Sequence, residues 1–337
     1  MFLSSYFSSL ILLMPLIFSG LYSKETRHIF YISFFLYVTF LVFYTDLSGP
    51  DILTYENWAI KSCYTNFQTD PLISFFFSIG CNFFEAKLLV KSFIFFMILT
   101  QLYCLRKIFS NFTLALIVYF GFGNFFLSNF NVISFNAALT IFLLAITFRS
   151  VILRYLFFIL SPLAHVVGLF LVLSLLGTKL KITFALFAAL ILGIFFNLFL
   201  VSIGIEERLL NYFGNDDSFP LRIFIIFFSS SILYYLYKTK IHEDFQSLNL
   251  LYWSFITSSF ILSIAIFVSI SSSILERLIN PILFLQAYFW LELLSKKYVN
   301  EDFLKILIVL ILITNLSLTV NDSSNGWSLS PFNIILF

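Results

Sequence analysis

Residues 87–105 read KLLVKSFIFFMILTQLYCL, and the fold class turns on this stretch. Apart from Lys87 and Lys91 it carries no charge, and it does not alternate polar with apolar residues as a half-buried strand would. As an α-helix it reaches roughly 28 Å, close to the hydrocarbon thickness of a bilayer. Lys91 lies near its start, where a long side chain snorkels toward the headgroups. Similar runs recur on both sides. Candidate spans cover about 3–22, 29–45, 71–84, 87–105, 112–128, 131–148, 155–176, 182–203, 222–237, 248–270, 278–294 and 304–320.

Of the 337 residues, 61% are hydrophobic and 11% charged, whereas a soluble domain has about 25% charged residues. A water-facing surface cannot be made from that inventory. The expectation is an all-α, polytopic integral membrane helix bundle: one domain over residues 1–337, with about twelve transmembrane helices in a range of ten to fourteen. A transmembrane β-barrel would show short alternating segments instead. No Lys or Arg precedes Lys24, so the N-terminus reads as a first transmembrane helix rather than a cleavable signal. A net charge of +2 without a basic tail gives no foothold for nucleic acid. Cys63, Cys81 and Cys104 suggest neither a disulfide framework nor a zinc site. No internal repeat supports an inverted-repeat transporter.

Three segments are polar: 46–70, 204–221 and the tail 321–337. The first two are acidic, while Lys24/Arg27, Lys179/Lys181, Lys238/Lys240 and Lys296/Lys297 cluster in the turns opposite. By the positive-inside rule the basic turns are cytoplasmic and the acidic loops and tail external. Arg106/Lys107 and Arg149/Arg154 then fall outside, against the rule. Either a span is miscounted or those cations serve a purpose; an arginine fork binds phosphate and carboxylate bidentately. In YTDLSGPDILTYENW (44–58), Pro50 and Asp51 suit the start of a short helix. That helix would put Asp51 and Tyr55 on one face and lie on the external surface, with Trp58 at the interface.

The chain has no GxGxxG, P-loop, HExxH, paired CxxC or GxSxG, so neither cofactor nor metal is expected. His165, three residues after Pro162 in LSPLAHVVGLFLVL, reads as mid-span. It is either a general base or donor to substrate, or a buried histidine satisfied by a neighbouring helix. Arg208 and Arg277 each follow a glutamate (Glu207, Glu276) at a span end. They are either interfacial anchors and local ion pairs, or ligands for a phosphate-linked substrate. Arg222 after Pro220 fits either description. Glu85 and Glu292, near cytoplasmic ends, read as solvated.

The order of these features resembles the EpsG-like branch of the Wzy-type polysaccharide polymerases. That family's G-x-D-x-x-x-Y-like pattern is matched by Gly49–Tyr55. Its N-x-I-R-Q-like helix start is matched by NVISFNAAL at 131–139, and its mid-span histidine by His165. Its charged loop with a tyrosine corresponds to Glu207, Arg208 and Tyr212, its late arginine to Arg277, and its W/Y-x-P-F/Y-like tail to WSLSPF at 327–332. Ser134-Phe135 stands where the family commonly has Arg-Gln, which leaves Arg149, Arg154, Arg208 and Arg277 as candidates for binding the lipid pyrophosphate. The resemblance implies a GT-C-like, metal-independent glycosyltransferase of the bacterial inner membrane, acting at its periplasmic face. It would transfer a glycan from undecaprenyl pyrophosphate onto a lipid-linked repeat unit, with a chain-length regulator as a further partner. A pyrophosphate leaving group needs chiefly orientation and fixed cations. His165 and Asp51 are the candidate bases, His165 the first choice. Tyr55, Trp58 and Trp327, with Tyr212, would line the sugar cleft. Three rivals share the architecture: a lipid-linked oligosaccharide flippase, a polyprenyl-phosphate-dependent GT-C glycosyltransferase and a membrane O-acyltransferase.

Overall fold

The computed structural model describes residues 24–47, 52–64, 70–121, 132–165, 219–241, 245–268 and 271–297, with Asn129, residues 167–169, 171–172, 213–214 and 332–334, and isolated positions between 184 and 195. In chain order the elements are α1 (Lys24–Tyr44), β1 (Thr45–Leu47), α2 (Ile52–Ser62), α3 (Pro71–Gly80), α4 (Ala86–Ile108), α5 (Phe112–Gly121), α6 (Ile133–Thr147), α7 (Val151–Ala164), β2 (Phe213–Gly214), α8 (Phe219–Leu236), a π-helical turn (Tyr237–Ile241), α9 (Phe245–Val268), β3 (Ser271–Ser272), α10 (Ser273–Lys297) and β4 (Phe332–Ile334). The protein is all-α; β1–β4 and β2–β3 are short antiparallel pairings. Candidate spans 3–22 and 304–320, and all but isolated residues of 182–203, lie outside the described residues. The chain divides into two compact units, Met1–Gly168 with Leu294–Phe337, and Leu169–Leu293.

In the first unit α4, at 23 residues, is the one helix among the described residues both long and apolar enough to cross a membrane. Arg106 and Lys107 occupy its last turn, where cations oppose the negative end of the helix dipole. α1 packs against it antiparallel. Lys91 Nζ donates to the Phe43 carbonyl at 3.1 Å, so this lysine is buried on the end of α1 instead of reaching outward. Near the start of α1, Tyr31 meets Phe112 and Thr113, just past the end of α4.

The segment 71–84 does not form one continuous helix of spanning length. Pro71 sits at the start of α3, which ends after ten residues at Gly80. A helix of that length reaches about 15 Å, half a bilayer core. The chain then turns back into α4: Phe76 and Phe77 pack on Phe93, and a Cβ at Gly80 would overlap the Leu89 side chain. α2 is also half-length, with one face exposed, including Leu53 and Ile60, and the other packed inward. It buries Ile52, Tyr55, Ala59 and Ser62, one helical stripe, against α3 and α4. A disulfide joins Cys63 to Cys81, with Cα atoms 5.9 Å apart, contrary to the expectation of no disulfide. Both helices start beside Ser134 of α6 and finish at that disulfide, so they run in the same direction.

α6 and α7 form an antiparallel hairpin through Phe142–Phe158 and Phe148–Phe157 ring contacts and the Ser161 hydroxyl, which donates to the Ala138 carbonyl at 2.9 Å. Ser134 lies beside α2 and α3, which cover the first half of α4. Thr140 reaches Gln101, in the second half of α4. α6 therefore runs with α4, and the α6–α7 turn lies toward the end marked by Arg106 and Lys107. Gln101 ties these helices together: its amide donates to Asn129 Oδ1 (2.9 Å) and Thr140 Oγ1 (2.8 Å), while Tyr119 Oη and Asn129 Nδ2 donate to its carbonyl oxygen. Gln101, Asn129 and Tyr119 are fully buried, and such a network holds only when its members are satisfied.

In the second unit α8 and α9 are antiparallel, with Phe227–Phe255 and Tyr234–Tyr252 stacked and Ser230 bonded to Ser254 at 3.0 Å. α10 runs alongside α8: Gln286 donates to the Ile226 carbonyl and Ser230 Oγ, both at 2.7 Å, and Trp290 Nε1 to Ser229 at 3.0 Å. Glu292 is buried, not solvated, and accepts a hydrogen bond from Tyr237 Oη at 3.0 Å. Glu85 is exposed, as expected. Outward faces of several helices are apolar: Ile29, Ile32, Leu36 and Phe40 on α1, Ile152, Leu156 and Ile159 on α7, and Phe224 and Phe228 on α8.

Candidate functional site

Polar groups converge where α2 and α3 begin and where the α6–α7 hairpin opens. Ser134 is in the first turn of α6, where backbone N–H groups have no partner inside the helix. Its N–H donates to Tyr55 Oη at 3.0 Å, so a tyrosine from α2 supplies the cap. The Ser134 hydroxyl donates to the Asp70 carboxylate, which stands immediately before Pro71. The Asp70 carbonyl accepts the first helical hydrogen bond of α3, from Ser74 N–H at 3.0 Å. Asp70 is almost wholly buried. Burial pushes its carboxyl from 3.8 up to about 6, against the opposing pull of the Ser134 hydroxyl; loss of hydration penalises the charged form. The positive ends of α3 and α6 also favour the carboxylate.

Next along α6, the Phe135 ring meets the His165 imidazole edge-on, with centroids 6.5 Å apart. His165 is not within a helix. It stops α7 with extended backbone (φ −167°, ψ 142°), and the helical trace resumes at Val167. The break is local and well bonded: Gly168 N–H donates to the His165 carbonyl at 2.8 Å, and Val167 N–H donates to His165 Nδ1 at 3.3 Å. Gly168 passes so close to Ser161 that a Cβ would lie 2.5 Å from its carbonyl carbon and oxygen. Only glycine fits that approach.

Of the residues singled out from sequence, Tyr55 and His165 are brought to this cluster. Trp58 is half-buried, with its ring 5.0 Å from that of Tyr55. Arg149 and Arg154 lie at the other end of the α6–α7 hairpin. Arg154 gives both Nε and Nη2 to the Phe148 carbonyl (3.2 and 2.7 Å), closing the end of α6; Arg149 is exposed. Asp51, Arg208, Tyr212 and Trp327 lie outside the described residues, as does the side chain of Arg277 on α10. Tail residues Phe332–Ile334 pair with Leu47–Thr45, the strand just before the Gly49–Tyr55 pattern. Asp70 and Ser134 were not singled out as site residues. Nothing near Asp70 in sequence announces that Ser134 will meet it.

No protein-family model matches the chain, and neither a curated protein nor a solved structure is detectably similar to it.

Proposed function

We propose that this protein is a membrane-embedded polysaccharide polymerase of the Wzy type. It would transfer a glycan from a polyprenyl pyrophosphate to a lipid-linked repeat unit at the outer face of the bacterial inner membrane. The observation that carries this proposal is the meeting of segments far apart in sequence that the resemblance singles out. Tyr55 of the first pattern bonds Ser134 of the second, and Phe135 packs on His165 of the third. The tail Phe332 pairs by backbone with Leu47. Independent motifs scattered by chance would have no reason to assemble.

Membrane embedding is supported by the outward Ile, Leu and Phe side chains of α1, α7 and α8, an exposed apolar surface that water does not tolerate in such extent. Orientation follows from charge. With α3 a half-length helix, the pairs Lys24/Arg27, Arg106/Lys107 and Arg149/Arg154 gather at one end of the first unit, which is then cytoplasmic. The disulfide marks the opposite, outer end, where disulfides persist, and the Asp70 cluster lies one short helix, roughly 15 Å, further in. Arg149 and Arg154, at the basic end, are on the side away from the disulfide and are set aside as pyrophosphate ligands.

The test is a gene deletion read on a glycan gel. A polymerase deletion collapses the surface-glycan ladder to a single repeat, restored by the wild-type gene. Complete loss of surface glycan would instead assign the chain to flipping or to an earlier step.

A further inference from the structure

We propose that the Cys63–Cys81 disulfide is a thiol–disulfide exchange site for an extracytoplasmic dithiol protein of the C-x-x-C class, attacked at Cys63, and that opening it releases the end of α2. This goes beyond the polymerase function and rests only on the outer placement of the disulfide. The bridge is at the surface of the first unit: Cys63 is exposed and Cys81 half-buried. Tyr64, immediately after Cys63, and Phe83, two residues past Cys81, are 86% and 76% exposed. Asn82 and Glu85 are exposed in the same turn. An exposed disulfide is the labile kind, open to an attacking thiolate. A partner protein covers such rings on docking, whereas a small thiol gains nothing from them.

Cys63 offers the more approachable sulfur. Cys81 caps α3, its N–H donating to the Phe77 carbonyl at 2.9 Å, and the preceding Gly80 packs against Leu89. In the exchange, a partner thiolate forms a bond to Cys63 Sγ while the Cys63–Cys81 bond breaks. Cys81 leaves with the electron pair and takes up a proton. The partner's second thiolate then attacks the mixed disulfide, forming the partner's own disulfide and releasing Cys63 as a thiol. Two electrons and two protons pass from the partner to this chain, and the reverse sequence closes the bridge. The consequence falls on α2. Its last residue, Ser62, buries a hydroxyl that has no hydrogen-bonding partner among the described residues, an unfavourable placement held next to the bridge. Once the cross-link opens, that turn is free to swing outward and hydrate Ser62, loosening the helix whose Tyr55 caps α6. α3 keeps its hold on α4 through Phe76, Phe77 and Phe93.

The experiment uses the purified full-length protein in detergent, prepared under air. The probe is thioredoxin with its second active-site cysteine replaced by serine, which attacks a disulfide but cannot resolve the product. The expected product is a mixed disulfide that peptide mass spectrometry locates at Cys63, with Cys81 alkylated by maleimide. Y64S/F83S should slow that capture on the order of tenfold while leaving exchange with reduced glutathione unchanged, which sets docking apart from loss of fold. In hydrogen exchange, reduction by dithiothreitol should speed the amides of Ala59–Ser62 on the order of tenfold, and S62A should narrow that difference. The exchange site is overturned by attachment at Cys81, by capture only after denaturation, or by a Y64S/F83S rate equal to that of the wild type. Release of α2 is overturned if reduction leaves those amides unchanged or if S62A does not narrow the difference. Free thiols at both cysteines in acid-quenched cells would remove the outer placement on which the proposal rests. An unchanged glycan ladder in the deletion strain would sink only the polymerase function.

Discussion

At Gly168 a single missing methyl group decides whether the end of α7 can form. An added Cβ would sit 2.5 Å from the backbone carbon and oxygen of Ser161, and backbone cannot rotate away as a side-chain tip can. Gly168→Ala should therefore destabilise the protein by roughly 2–3 kcal/mol, the scale of overpacking in a filled interior. A lowered thermal midpoint of the detergent-solubilised protein checks this. S161A should not restore it, because it removes only the Oγ contact at 2.6 Å and leaves the two main-chain contacts at 2.5 Å. An unchanged midpoint would mean that the turn at His165 is less tightly closed than described. Asp70 shows a different kind of residue-scale consequence. With its carboxyl raised from 3.8 to about 6, the unfolded chain releases this proton first as pH rises. The native state then loses stability between those two values, and ionised Asp70 is a cost borne by the fold at neutral pH.

At the scale of elements, the half-length pair α2 and α3 is held at its far end by Cys63–Cys81, 18 residues apart in sequence. Cross-linking a loop of that size restricts the unfolded chain by about 3 kcal/mol. The double variant C63S/C81S should lose stability on that order. Mass spectrometry of the wild type should show both cysteines alkylated only after reduction, while buried Cys104 needs denaturation. Alkylation of Cys63 in the unreduced, folded protein would refute the pairing. These elements also mark where sequence was legible. α4 was readable because its apolar run and its helix have nearly the same bounds. α3 was not, because Phe83 and Phe84 continue the apolar run through the turn after Gly80, and composition does not distinguish a greasy turn from a helix. The run across His165 hid a break for a similar reason. Pro162 signalled weakness there, yet the helix survives the proline and yields where Gly168 meets Ser161, a contact that exists only after folding. Glu292 reads as solvated, and Asp70 passes without notice, because their partners, Tyr237 and Ser134, stand more than fifty residues away.

Across the whole molecule, the redirection of α3 changes the charge pattern more than any single residue does. Within the first unit it leaves Arg106/Lys107 and Arg149/Arg154 toward the same end as Lys24 and Arg27, so under the proposed orientation these three pairs share one side. Cysteine labelling in intact spheroplasts is the check, on a background of C63S, C81S and C104S. A membrane-impermeant maleimide should leave a cysteine at position 149 unmodified until the membrane is opened. One at the exposed position Tyr64, beside the disulfide, should react from outside. Equal labelling at both positions would remove the orientation proposed for the site.

The Gln101 network has a consequence for biosynthesis. Its partners Tyr119, Asn129 and Thr140 follow it by 18, 28 and 39 residues, so α4 leaves the ribosome with an amide in its second half that nothing can yet answer. In a chain inserted in the membrane as proposed above, retention of that helix beside the insertion machinery until Thr140 has been made would let one glutamine time the assembly of the first unit.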